Sequence, residues 1–572
     1  MGVEVCLALA VAWLLAQRAA APRGRPADAP LTEREVDALC EEWEPEPLVP
    51  PTLPDGRPRT AACGGGSDAP ALLPILGTRG TAATLAATGK RVLVAAGTDF
   101  LGLGGDPAIL AAAAGAVATY GVGSCGPRAF YGTIDVHLAL EARLAAWQGT
   151  AEAIIYSHDA ATMPSVLPAF ASAKDVLVMD DAAPWAFRNG AALSRARVAT
   201  FRHGSLADLE AVLTRLAASD AAARRPPCRR FIVVEGVSSH TGGLAPLPGM
   251  VALKKRFGYR LVVDESLAGG VLGPAHGRGA CEHWGLAPGD ADVVVGSLGG
   301  AVASAGGWCA SSREVVDHQR LSGAGYCFSA SLPPFLAVAA SEAVQRIAGS
   351  EGVAARAALA RNARALREAL AAEGGVPGFV VGGGLAWAGG AAAAAAAAAP
   401  ASPRGRPASP TLLASAPPPP PAAEWFAPTL HLVPVGVAAA AGGGGGEGGG
   451  GACCPAEPLP ASARARAALL CKAVAADCLD KGGVLVAAVE PPPGTEAASV
   501  VGPSVRVTVS AAHTDAEVRR VAAALKSAAR RCVGSAATHL PPPNGGGLAS
   551  FAARQSDDLR RQGSAQSLGG GW

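Results

Sequence analysis

The chain has no surplus of charge of either sign. Its 48 Lys and Arg against 46 Asp and Glu leave +2 over 572 residues, which removes a broad electrostatic case for nucleic acid. Its 13 cysteines contain no CxxC pair and no even framework. They read as reduced thiols of a cytosol-facing protein rather than as a disulfide scaffold. No His, Cys and Asp cluster has metal-ligand spacing. The N-terminal apolar run, residues 5–16, falls short of the ~20 residues that span a bilayer. Lysine is sparse, at positions 90, 174, 254, 255, 472, 481 and 526. None of the seven comes after a hydrophobic strand that runs into a Gly–Ser or Gly–Thr turn.

The length permits a large core and more than one domain. The excess of Ala, Gly and Pro is partly a base-composition effect, so the apolar fraction overstates the core. Residues 31–40 open with Thr32 and an acidic first turn, which predicts a short helix. Glu44-Pro45-Glu46-Pro47 and the prolines after it predict an extended lead-in, and the chain up to about residue 88 reads as loop. From 96 to 345, short apolar runs at 153–156, 176–179, 231–234, 261–263 and 293–295 alternate with helical stretches such as 206–216 and 250–257. That pattern predicts a doubly wound, mostly parallel sheet, with its site at the carboxyl ends of the strands.

Beyond 346 the texture changes to a small α+β domain ending near 535, interrupted by low-complexity segments at 389–421 and 438–458 that have no means of packing a core. Helices are expected at 350–373, 461–479 and 514–531, and strands at 425–434, 483–489 and 504–510. Residues 536–572 read as a disordered tail, and residues 19–95 as an N-terminal arm.

Two glycine-bearing segments carry the chemistry. Gly121-Val-Gly123-Ser-Cys-Gly126 matches GxGxxG, but an Ala-rich helical run precedes it where the dinucleotide motif needs a strand, and the next acids are Asp135 and Glu141, so the segment reads as a glycine-rich loop shaping a backbone. The longer string is more specific: Tyr120-Gly-Val-Gly-Ser-Cys-Gly-Pro-Arg128-Ala-Phe-Tyr-Gly132-Thr133, then His137 and Leu140-Glu141. Further landmarks come in order: Glu235-Gly236, Asp264-Glu265-Ser266, Gly277-Arg278-Gly279, Asp292-Val-Val-Val-Gly296-Ser297-Leu298-Gly299-Gly300, Asp317 to Pro334, and Arg506 to His513. Together these resemble the α-oxoamine synthases, a family of fold-type I pyridoxal-phosphate (PLP) enzymes. Within it they resemble the serine palmitoyltransferases on the side of their lysine-lacking long-chain-base subunits. The resemblance covers about residues 28–531, less the two insertions.

The resemblance implies a fold-type I architecture: a large mostly parallel-sheet domain, a smaller C-terminal α+β domain and a short N-terminal membrane helix. It also implies a pocket with parts missing. The cofactor lysine position is Gly300, and Schiff-base chemistry needs a primary amine. The ring-stacking His position falls near Pro184, with Trp185 beside it and core packing the expected role of that Trp. A second His position is Leu267. Asp264 stands where the carboxylate for the pyridine nitrogen belongs, or serves as a helix cap.

No catalytic residue is therefore expected in this chain. PLP would be bound covalently by a lysine-bearing partner, subunit 2 of the enzyme. Tyr326, Ser329 and Ser331, with the loop 120–132, would contact it across the interface, and Arg506 would face the empty pocket. His137, His283, His318 and His513 are expected to settle packing. The implied reaction is condensation of L-serine with palmitoyl-CoA to 3-ketosphinganine in sphingolipid biosynthesis. The implied place is the endoplasmic reticulum membrane, with the catalytic body cytosolic, residues 1–18 as anchor or signal-anchor, and small regulatory membrane subunits as further partners. By the positive-inside bias Arg18, Arg23 and Arg25 keep the chain beyond the anchor in the cytosol. The competing readings are an autonomous α-oxoamine synthase of the aminolevulinate or 7-keto-8-aminopelargonate type, and a purely structural scaffold.

Overall fold

The computed structural model describes residues 32–42, 75–372, 374–382, 429–434, 461–489 and 503–539. Residues 1–18, the proline-rich lead-in, the two low-complexity segments and the chain after 539 lie outside the described residues. The chain divides into two units, Met1–Leu72 with Ala549–Trp572, and Leu73–Leu548. In the first, helix α1 (Glu33–Glu42) is described; it starts one residue after Thr32, whose carbonyl accepts the Val36 N–H at 3.0 Å.

The second unit is built on a seven-stranded sheet. Its strands are β4 (Glu152–Tyr156), β5 (Val176–Asp180), β6 (Arg197–Phe201), β7 (Arg230–Glu235), β8 (Arg260–Asp264), β9 (Val293–Ser297) and β10 (Gly307–Ser311). The order is β4-β10-β9-β8-β7-β5-β6. Pairing is parallel except where β10 runs antiparallel to both β4 and β9. The apolar runs are continuous because both faces are covered. Along β7, Ile232 and Val234 enter one core and Phe231 and Val233 the other, as strand alternation requires. Three strands end in carboxylates at their tips, Asp180, Glu235 and Asp264.

Helices α2 (Pro107–Tyr120) and α3 (Asp135–Gln148) lead into the sheet. Asp106 caps α2, accepting the Ala108 and Ile109 N–H groups, with Pro107 at the first helical position. Gly121 is the C-cap of α2 at φ 75, so the GxGxxG segment leaves a helix rather than a strand. After β4 come α4 (Thr162–Phe170), α5 (Trp185–Ser194), α6 (Leu206–Ala222), α7 (Leu247–Phe257) and the one-turn α8 (Ala280–His283). After β10 come α9 (Arg313–Ser322), α10 (Ala324–Cys327), α11 (Pro334–Ala348) and α12 (Ser350–Ala371).

The C-terminal part forms an antiparallel sheet of β11 (Phe379–Gly382), β12 (Thr429–Pro434), β15 (Ser504–Thr508) and β14 (Ala487–Val489), packed on α12, α13 (Ala461–Asp477) and α14 (Asp515–His539). Several expectations change here. Residues 75–85 are not loop: β1 (Ile75–Arg79) and β2 (Ala82–Leu85) make a hairpin around Gly80, which takes φ 56. Together with β3 (Arg91–Val94) they form a second sheet, completed by β13 (Val484–Leu485) running parallel to β3. The single strand expected at 483–489 is thus two strands in two sheets, parted at the buried Val486. The last helix runs on to His539, eight residues past the expected end at 531. Among the described residues no helix is long and apolar enough to cross a membrane.

Candidate functional site

The carboxyl edge of the large sheet gathers acids. Glu235 and Asp264 are register partners on neighbouring parallel strands. Burial, then the Asp264 charge, pushes Glu235 up to about 8, although Ser239 donates its N–H to Glu235 Oε1 at 3.2 Å. Burial pushes Asp264 up to about 6 against the opposing Ser266 N–H, 2.7 Å from Oδ1. Asp180 Oδ1 accepts the Ala182 N–H at 2.8 Å and lies 2.8 Å from His203 Nδ1, and His203 Nε2 lies 3.0 Å from Thr241 Oγ1. Burial works against a charge on His203, but Asp180 outweighs it and the pKa rises. Asp181 is pushed up to about 6 by burial and by Asp180. In the small sheet, His431 and Arg506 are register partners. Burial, then Arg506, holds His431 down at about 3.

The amine that a covalent cofactor needs is not at this edge. All seven lysines lie among the described residues. Lys254 and Lys255 are paired with Asp292 and Asp290 at the opposite edge of the sheet, where Lys174 also lies, just before β5. Lys90, Lys481 and Lys526 bond within the C-terminal part, to Asp480 O, Asp477 and Ala372 O, and Lys472 is exposed on α13. Gly300 sits in the turn after β9, where an added Cβ would stand 3.2 Å from Ser266 O.

The anion seat is altered too. A helical N-terminus at a strand end suits a phosphate. The turn after β4 that leads into α4 has this form, and the Asp159 carboxylate stands at its start. Asp159 Oδ1 accepts the Ala160 N–H at 2.7 Å, Oδ2 accepts the Ser297 hydroxyl at 3.1 Å, and Ser297 Oγ in turn accepts the Gly299 N–H at 2.8 Å. Trp185 is 62% exposed, which corrects the expectation that it packs in the core: at the first position of α5 it points off the sheet. Among the residues described, a carboxylate suited to a pyridinium persists. The amine is lacking and a carboxylate stands at the start of the helical turn after β4, so the site does not fit a covalently held PLP.

The other expected residues lie on a separate feature. The segment 124–133 and the segment 326–332 are laced together. Pro127 and Ala330 form a β-bridge, Ser331 donates both its N–H (2.9 Å) and its hydroxyl (3.0 Å) to Gly126 O, and the Ser124 hydroxyl donates to Ser331 O at 3.2 Å. His137, fully buried, braces the junction from Ile134 N to Leu332 O. Ser331 is 5% exposed with its hydroxyl spent internally, which leaves it no free donor for an external phosphate. Tyr326 is 7% exposed, under the Arg128 guanidinium. Ser329 is half-buried and lies 3.0 Å from Ser157 Oγ. The side chains this platform displays are apolar: Val122, Phe130, Tyr131 and Phe328 are 72–85% exposed. His318 and His513 settle geometry through Ala169 O and Val94 O. Reading the sequence missed His203 and Asp159. Asp159 comes three residues past the end of the apolar strand β4, a signal that could have found it, whereas His203 follows the half-exposed edge strand β6, which no apolar run marks.

The aminotransferase class I and II family model matches residues 98–399. The long chain base biosynthesis protein 1c of Oryza sativa subsp. japonica is 42% identical over 353 residues, covering 62% of this chain and 69% of that protein. The serine palmitoyltransferase 1 of Dictyostelium discoideum is 39% identical over 342 residues, covering 60% and 67%. A serine palmitoyltransferase solved with PLP superposes with a TM-score of 0.60 at 24% identity, over 80% of this chain and 93% of that one, a likeness of fold.

Proposed function

We propose, from the premise that the chain belongs to the class I and II aminotransferase family and there to the serine palmitoyltransferase 1 branch, that it is the lysine-lacking subunit of a heteromeric serine C-palmitoyltransferase. In this reading it supports the condensation of L-serine with palmitoyl-CoA to 3-ketosphinganine, and a lysine-bearing subunit 2 holds PLP. The position equivalent to the cofactor lysine is Gly300, so the chain alone is inactive. When bound by the partner, PLP supplies the electron sink for the serine α-carbon.

The observation that supports this most is the pairing of an amine-free strand edge with a rigid apolar platform. Phe130, Tyr131 and Phe328 stand on a hydrogen-bonded double segment, and a solvated chain gains nothing by holding three large apolar side chains rigidly in water. Aromatic anchors of this kind carry protein interfaces. The platform seats the partner, and Ser329, the one hydroxyl of the expected set with exposed surface, is the polar contact offered across it. Tyr326 and Ser331 position that segment from beneath, and Asp264 stays in this chain's own pocket. Attachment to the endoplasmic reticulum falls to residues 1–18, with the described body in the cytosol and small membrane subunits as regulators.

Co-expression with and without a lysine-bearing partner, assayed for 3-ketosphinganine, tests the reading. Product is expected only when the partner is present. Turnover by this chain unaccompanied would sink it.

A further inference from the structure

A cavity of about 360 Å³ opens between α3, α11 and the loop that carries Arg278. Its lining includes none of the strand-tip acids and none of the residues of the apolar platform. Its floor is Trp147 and Val344, both buried, and its walls carry Arg143, Arg278 and His276. The Trp147 indole N–H donates to His276 O at 2.9 Å and holds the loop in place. Arg143 Nη1 is oriented by Ser341 O at 3.0 Å and Gln345 Oε1 at 2.7 Å. Arg278 packs over Gly149, the αL C-cap of α3, where an added Cβ would come 3.2 Å from Nη1. Arg278 Nε is buried and has no acceptor, and its guanidinium bonds to no carboxylate among the described residues.

Two acids stand near this wall. Glu282 is consumed by the N–H groups of Ala275, His276 and Arg278, each at 2.8 Å. Glu342 is 4.0 Å from Arg143 and half in solvent. Two guanidiniums line one apolar-floored hollow, and the buried Arg278 Nε is left without an acceptor. A planar guanidinium pair matches phosphate oxygens, and the volume is at the small end of ligand pockets, which run from ~300 Å³ upward.

We propose that this cavity binds an organic phosphate ester of mononucleotide size or smaller, its phosphate between Arg143 and Arg278 and its body over Trp147 and Val344. The site is independent of the catalytic reading, because its readout is binding and not turnover.

The test is isothermal titration of the full chain, in its co-expressed complex, with adenosine 5′-monophosphate, O-phosphoethanolamine and inorganic phosphate. One of the two esters binds more tightly than inorganic phosphate; the nucleotide winning points to a nucleotide source, the amino-alcohol phosphate winning to a lipid headgroup. Arg278→Gln raises the Kd at least tenfold. Gln345→Glu, which sets a carboxylate against Arg143 without touching the core, does the same and stands in if Arg278→Gln fails to fold. No ester binding, or binding unchanged in Gln345→Glu, overturns the proposal.

Discussion

Arg128 and Glu141 form an ion pair sealed from solvent, Nη2 to Oε2 2.9 Å, with the two side chains 4% and 6% exposed. The pair is a junction. Arg128 Nε donates to Thr133 Oγ1 at 3.1 Å and the guanidinium lies 5.3 Å from the Tyr326 ring centre. Glu141 Oε1 accepts the Ile155 N–H at 3.1 Å. One charge pair thus joins both platform segments to α3 and β4. Removing one partner strands a buried charge, which costs about 3–5 kcal/mol. Glu141→Gln is expected to lose that much in chemical denaturation, and Arg128→Met with Glu141→Leu to lose less than the sum of the single changes.

The platform aromatics are solvent-exposed in this chain, so changing them should cost association and not folding. Tyr131→Ser and Phe328→Ser are each expected to weaken binding to the lysine-bearing partner proposed above by about 2 kcal/mol, the scale of an interface hot spot. Their melting temperatures should stay at the parent value. Pull-down titration checks this, and unchanged partner affinity in both variants would remove the platform from the interface.

Gly132 lies where the two segments touch. A Cβ there would overlap Gly126 O, and Gly126 O is the acceptor for Ser331. The clash is with backbone and cannot be relieved by a rotamer. Gly132→Ala is expected to destabilise by about 1–3 kcal/mol and to release the 326–332 segment, seen as raised amide exchange at Ser331.

The parallel strands of the large sheet were legible because burial on both faces writes them as unbroken runs of Val, Ile and Leu. β6 and β10 were not. Arg197–Phe201 is a half-exposed edge, and Gly307–Ser311 shows no run because glycine is required at Gly307, where a Cβ would meet Thr162 Oγ1. The β1–β2 hairpin is hidden for a different reason: its sheet is completed by β13, about 400 residues away, a pairing that no local pattern encodes. At the site, Asp264 could be read from its place at a strand end. The Asp159–Ser297 and Asp180–His203 contacts could not, because each joins two chain segments that only the folded sheet brings together.

Glu235 makes stability fall with rising pH. Its ordinary value is 4.5 and its folded value about 8, so between those values the folded chain keeps a proton that the unfolded chain releases. Stability from this group is full at acid pH and is lost as pH climbs through that window. Glu235→Gln removes the slope while keeping an oxygen to accept from Ser239. It is expected to match the parent near pH 5 and to exceed it by at least about 1 kcal/mol at pH 8, measured by urea denaturation at both values. Equal stability at pH 8 would show that the carboxyl ionises freely.

The absence of an amine at Gly300 suggests a simple repair, and the Asp159 contact says why it should fail. Gly300→Lys supplies the amine, but the turn after β4, whose Asp159 lies beside Gly299, still holds a carboxylate fixed by Ser297 and the Ala160 N–H. A phosphate brought there meets a like charge in place of free donors, and like charges at contact disfavour binding. Gly300→Lys alone is expected to show no visible absorbance band with PLP and to stay inactive without a partner. Adding Asp159→Asn turns the seat from an anion into a donor, and PLP affinity is expected to rise at least tenfold over the single variant, read by absorbance titration. A visible band of equal strength in both variants would mean that the lysine alone was missing and that Asp159 has no part in excluding the cofactor.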